Sequence, residues 1–106
     1  MIEFLYFSGC PNHEPTVALV RAVIDELGLD AEVREVPVET TESAEVLRFV
    51  GSPSVRVNGR DIEPAAREQT EFALSCRMYG DAGVPPKELL LEAVKKAGYS
   101  ARPAGQ

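Results

Sequence analysis

The chain opens on an apolar and aromatic run, Ile2-Glu3-Phe4-Leu5-Tyr6-Phe7, which stops at Ser8-Gly9 and passes through Cys10 into a helical pattern. Such a run, bounded by turn residues, suits a strand buried on both faces near the centre of a sheet. From Thr16 onward, Val17, Val20, Val23, Ile24 and Leu27 recur on one helical face, and Gly28 supplies the left-handed residue that commonly ends a helix. A second strand follows within Ala31 to Val38, ending near Val36 because Pro37 has no donor for the ladder. Strand, helix, strand in that order demands a right-handed parallel crossover, so the chain belongs to the α/β class.

Thr40 and Thr41 offer a helix N-cap, Ala44, Leu47 and Val50 give an apolar stripe, and Gly51 is the expected close of this second helix. Ser54-Val55-Arg56-Val57 alternates as a strand, and Asn58-Gly59 is a strong hairpin signal that returns Arg60-Asp61-Ile62 antiparallel. The sheet is therefore expected to be mixed, with helices on its faces. Beyond Glu63-Pro64 two readings stand. Phe72, Leu74, Cys76 and Met78 alternate as in a strand, which makes Cys76 core-facing, while Ala65 to Gln69 equally suits the start of a helix. Leu90, Val94 and Ala97 mark a last amphipathic helix, with Pro86 in its first turn and Gly98 at its end. Residues 1–98 thus read as one domain and 99–106 as a frayed tail.

A length of 106 residues fits that count of domains, and the charge excludes several functions. Seventeen acidic against eleven basic side chains leave a net charge of -6, which opposes attraction to nucleic acid or to anionic lipid. Apolar runs such as Val17 to Val20 and Leu89 to Leu91 are too short to cross a bilayer, and Met1-Ile2-Glu3 is no basic leader, so a cytoplasmic location is expected. Two cysteines are too few for the disulfide scaffold of a small secreted domain and read instead as chemistry or core. The sequence carries no phosphate-binding glycine loop, no serine-histidine-acid arrangement and no basic aromatic surface, and no cofactor is expected.

Cys10 stands where open α/β sheets collect functional groups, beyond the carboxyl end of a strand. If the helix starts at Pro11, Cys10 is its N-cap, and the free amide donors and the dipole favour a thiolate there. If Pro15 delays the start, the dipole lies farther away. His13, three residues on, could share a helical face with Cys10, lowering the thiol pKa or relaying a proton, or could simply occupy an exposed first turn. Cys76 is either a resolving thiol or a small core residue.

The segment Cys10-Pro11-Asn12-His13 resembles the redox motif of the thioredoxin superfamily, in which a nucleophilic cysteine is followed three residues later by a second cysteine. Gly51-Ser52-Pro53-Ser54-Val55 stands where that superfamily carries its cis-proline. Together with Phe7-Ser8-Gly9, the pattern is most similar to a small bacterial group of thioredoxin-like proteins, some of which carry selenocysteine at the position of Cys10 and some of which are labelled alkylmercury lyase. The resemblance implies a thioredoxin-like mixed sheet flanked by helices and a redox activity on a thiol or disulfide, protein or small molecule. It implies Cys10 as nucleophile, Pro11 and Asn12 as motif residues at the substrate, Pro53 as the cis-proline facing Cys10, and Ser52 as the backbone pairing with a bound peptide or thiol. His13 in place of the second cysteine means that a mixed disulfide must be released by Cys76 or by an external thiol. Two other readings use the same residues. Cys10, His13 and Cys76 could hold a soft metal such as mercury or copper, with Asp81 a candidate proton donor for carbon–mercury cleavage, although three donors do not make a structural zinc site. A non-catalytic binding module on the same scaffold is the third.

Overall fold

The computed structural model describes residues 1–101. It is an α/β arrangement of a four-stranded mixed sheet and three α-helices. Strands β1 (Ile2–Tyr6), β2 (Val33–Pro37), β3 (Ser54–Val57) and β4 (Arg60–Asp61) lie in the order β2-β1-β3-β4. Helix α1 (His13–Leu27) makes the parallel crossover from β1 to β2, α2 (Thr41–Leu47) links β2 to β3, and α3 (Lys87–Ala97) comes last. β3 runs antiparallel to both β1 and β4. The β3–β4 turn is Asn58-Gly59, both at positive φ, as the hairpin signal requires.

Successive strand residues face opposite sides of the sheet, and here that alternation builds two apolar clusters. Ile2, Phe4, Val55 and Val57 pack with Val20, Val23 and Ile24 of α1 and with Leu90 and Val94 of α3. Leu5, on the other face, packs with Val38, Ala44 of α2 and Phe49. Helices α1 and α3 therefore share one side of the sheet, and α2 lies on the other. Among the described residues no helix is long and apolar enough to cross a membrane.

Several boundaries differ from the sequence reading, each for a local reason. Helix α1 starts at His13 with Asn12 as N-cap, so Cys10 lies outside the helix. Pro15 fits within the first turn, where a backbone amide has no intrahelical partner to lose. Thr40 caps α2 through its side chain, which accepts from the Ser43 amide at 3.0 Å, but the helix closes on Arg48 in the left-handed region and not on Gly51. Gly51, at φ +126°, instead shapes the turn into β3. Pro37 belongs to β2, which tolerates it as an edge strand. Pro86 is the N-cap of α3 and precedes its first turn.

The stretch left open between residues 65 and 80 resolves into a 3₁₀ turn at Pro64–Glu68 and an extended strap without a regular strand. The expected alternation is absent over residues 73–76, which are all exposed, and where burial alternates, from Cys76 to Tyr79, its phase is opposite to the expected one. Leu74 and Met78 are 42% and 56% exposed and Cys76 is exposed, whereas Arg77 and Tyr79 are buried. Beyond α3, the Asp30 amide donates to the Ser100 carbonyl and Leu29 bridges Ala101, so the chain is tied down as far as residue 101. The expected tail beyond it, 102–106, lies outside the described residues.

Candidate functional site

The antiparallel register of Leu5 against Ser54 sets the carboxyl end of β1 beside the amino end of β3. The turn carrying Cys10 and the loop carrying Pro53 thus occupy the same end of the sheet. The Cys10 amide donates to the Phe7 carbonyl at 3.2 Å, and the Cys10 carbonyl accepts from the His13 amide at 3.4 Å, which folds residues 7–13 into a tight link. Thr16 then anchors the helix start, its amide and hydroxyl both donating to the Asn12 carbonyl, at 3.2 and 2.7 Å. Cys10 is half-buried and its thiol is free.

His13 is not an exposed first-turn residue. It is 7% exposed, its ring stacks on Tyr6 with centroids 3.6 Å apart and planes within 8°, and it meets Phe4 edge-on at 6.3 Å. Its Nε2 lies 2.6 Å from Oε1 of Glu35 on β2, while Nδ1 is buried and without a hydrogen-bond partner. A carboxylate at Nε2 favours a proton there, so the neutral ring presents Nδ1 as an acceptor. The only hydrogen bond between His13 and Cys10 among the described residues is the backbone one.

The Ser52–Pro53 peptide bond is cis. Ser52 is buried, and both backbone groups of this residue are engaged by the strap. Its amide donates to the Ser75 carbonyl at 2.8 Å, and its carbonyl accepts from the Arg77 amide at 2.9 Å. The two hydrogen bonds make a parallel bridge between Ser52 and Cys76. An extended peptide therefore meets no free backbone at Ser52, contrary to the role the resemblance implies for it.

Two buried side chains hold the strap down. Arg77 donates to Asp61 through two bonds, 2.6 and 2.8 Å, to Glu63 at 3.1 Å and to the Ser54 hydroxyl at 3.1 Å. Burial alone would lower the guanidinium pKa, but the hydrogen bonds and charge of Asp61 outweigh it and leave the group firmly protonated. The Tyr79 hydroxyl donates to the Pro53 carbonyl at 2.7 Å, and its ring lies 4.4 Å from the Arg77 guanidinium carbon. Burial raises the Tyr79 phenol above its ordinary range, against the opposing pull of Arg77. Farther along, Gly83 lies so close to Asn12 that a Cβ built on it would run into the Asn12 side-chain amide. The strap and the loop after it thus reach from the cis-proline to the cysteine motif.

The structure brings Cys76 beside Ser52-Pro53, at the sheet end that carries Cys10, Pro11 and Asn12, and turns His13 inward toward Glu35. Among the described residues no three His, Cys, Asp or Glu side chains are placed to hold a metal ion, so Cys10, His13 and Cys76 do not converge as a ligand set. Asp81 is exposed, in a turn closed by the Tyr79–Ala82 pair. Sequence reasoning missed Glu35, Asp61, Arg77 and Tyr79. Glu35, an acid inside a valine-rich strand, was a visible signal, whereas nothing local pairs Asp61 with Arg77. No family model matches the chain, and neither a curated protein nor a solved structure matches it.

Proposed function

We propose that the chain is a thioredoxin-like thiol–disulfide redox protein in which Cys10 is the nucleophile and Cys76 the resolving thiol. The observation that carries this reading is the Ser52–Cys76 bridge, which sets the second cysteine beside Pro53, at the end of the sheet where the Cys10 turn emerges. Further support comes from the mixed sheet, with the Cys10 turn following β1 and Pro53 immediately preceding β3, the two places the resemblance assigns to them.

In the reaction, the Cys10 thiolate attacks one sulfur of a substrate disulfide, forming a mixed disulfide and releasing the first substrate thiolate. The Cys76 thiolate then attacks the Cys10 sulfur, which forms the Cys10–Cys76 disulfide and releases the second substrate thiolate. Substrate gains two electrons and the protein loses them. A pair of external thiols returns both cysteines to the reduced state. With the backbone of Ser52 already bonded, the substrate is a small disulfide in preference to an extended polypeptide.

Oxidation with oxidised glutathione, followed by mass spectrometry, tests the scheme. The reduced chain is expected to lose two hydrogen atoms and yield a Cys10–Cys76 cross-linked peptide, while Cys76→Ser accumulates the glutathione adduct on Cys10. Absence of the cross-link, with Cys10 held as the adduct in the parent chain, would overturn the resolving role, and an unreactive Cys10 would overturn the redox reading itself.

A further inference from the structure

The strongest feature outside the cysteine site is a cavity of about 270 Å³ on the α2 side of the sheet, lined by Arg48, Arg56, Arg60, Arg67 and Phe72 with Asp61 at one wall. Four arginines bordering one small space are unexpected in a chain whose net charge is -6, although Arg60, opposite Val57 in the hairpin, turns its side chain toward the α1 and α3 face and borders the space only from the sheet edge. They come from separate places: Arg48 from the left-handed close of α2, Arg56 and Arg60 from the β3–β4 hairpin, and Arg67 from the 3₁₀ turn.

Their charges are not internally balanced. Among the described residues none of the four forms an ion pair with a carboxylate. Arg56 donates to the Arg48 carbonyl at 2.8 Å and Arg67 to the Asp61 carbonyl at 2.7 Å, neutral acceptors that leave most guanidinium donors unused. Asp61 has both carboxylate oxygens engaged by Arg77. Glu3, the register partner of Arg56, is the other acid that acts on Arg56. Even so, burial first, with Arg77 and Arg48 adding to it, lowers the Arg56 guanidinium below its ordinary value. The Arg48 guanidinium carbon lies 4.9 Å from the Phe72 ring centroid, so one wall combines a flat aromatic with a cation.

The geometry points to a binding site for a small dianion, a phosphomonoester or a dicarboxylate, held by Arg48, Arg56 and Arg67. Guanidinium forks match such oxygens with paired hydrogen bonds, and Arg56 is the half-buried one among them, while Arg48 and Arg67 are exposed at the rim. The volume suits a compact ligand, and an aromatic substituent on it would find the Phe72 face.

Calorimetric titration at fixed ionic strength, in a chloride background, tests this with inorganic phosphate, adenosine monophosphate and succinate. Saturable one-site binding of at least one of them is expected, weakened about tenfold or more in Arg67→Gln and in Arg48→Gln and unchanged in Arg21→Gln, whose arginine is exposed on the solvent side of α1. Binding of phosphate and the monophosphate without succinate assigns the site to phosphoryl groups, and the reverse assigns it to dicarboxylates. No heat above chloride for any of the three, or equal affinity in both arginine variants with melting temperatures intact, overturns the site.

Discussion

Ser52 and Cys76 are bridged through the backbone, and Arg77, the next residue along the strap, is locked by two hydrogen bonds to Asp61. Both partners of that ion pair are only 6% exposed. Removing one of two such charges leaves the other buried without compensation, which typically costs about 3–5 kcal/mol, while replacing both can be nearly neutral. Arg77→Met is therefore expected to lose stability of that order in urea unfolding, and the double variant with Asp61→Asn to recover much of it. Amide exchange at Ser52 and Arg77 should accelerate in the single variant. A loss under about 1 kcal/mol would show that the ion pair does not hold the strap.

Gly51 and Gly83 separate stability from site geometry. Gly51 has φ +126°, and a Cβ there would meet the Arg77 Cβ at 2.9 Å, so Gly51→Ala strains the backbone and pushes on the strap together. A loss of about 2 kcal/mol or more is expected. At Gly83 the obstacle is the Asn12 side chain, which can rotate away. Gly83→Ala is expected to cost about 1 kcal/mol or less while changing the alkylation rate of Cys10, two residues from Asn12. An unchanged rate would show that Asn12 does not shape access to the thiol.

His13 has both a packing role and a chemical one available, and two substitutions divide them. His13→Phe keeps a ring against Tyr6 but removes both nitrogens, releasing a Glu35 side chain that already has access to water. His13→Ala also removes the stacked surface and opens a void. Unfolding is expected to show a loss of about 2–3 kcal/mol for the alanine variant and markedly less for phenylalanine. If imidazole assists Cys10, both variants slow its alkylation near neutral pH to a similar extent. An alkylation profile for His13→Phe that overlays the parent would leave His13 with packing alone.

What the sequence disclosed and what it concealed divide by range. The β1 run, the Thr40 cap, the Asn58-Gly59 turn and the left-handed Gly28 are settled by neighbours a few residues away, and all four were readable. The strap was misphased because burying an arginine in preference to Leu74 and Met78 makes sense only once Asp61, sixteen residues away along the chain, is beside it. The inward packing of His13 was hidden for the same reason, since Tyr6 and Glu35 reach it from two different strands. The four-arginine cavity was invisible because its residues are scattered between positions 48 and 67 and form no charge run.

Tyr79 gives the strap a pH limit. Burial holds its phenol protonated in the folded chain well above the ordinary value, with Arg77 opposing and Asp61 and Glu63 adding to the effect. The unfolded chain releases that proton near pH 10. Stability from this group is thus complete below about pH 10 and declines as pH rises further, because the unfolded state then binds fewer protons than the folded one. Tyr99, raised by burial as well, adds a smaller decline in the same direction. Urea midpoints of the parent chain are expected to stay level from about pH 8 to 9 and to fall steeply beyond about pH 10. Tyr79→Phe loses the hydroxyl donation to the Pro53 carbonyl, about 1 kcal/mol at pH 8, and should show a shallower alkaline fall. The two curves converge as pH rises if the phenol is responsible. Parallel declines would place the alkaline sensitivity elsewhere in the molecule.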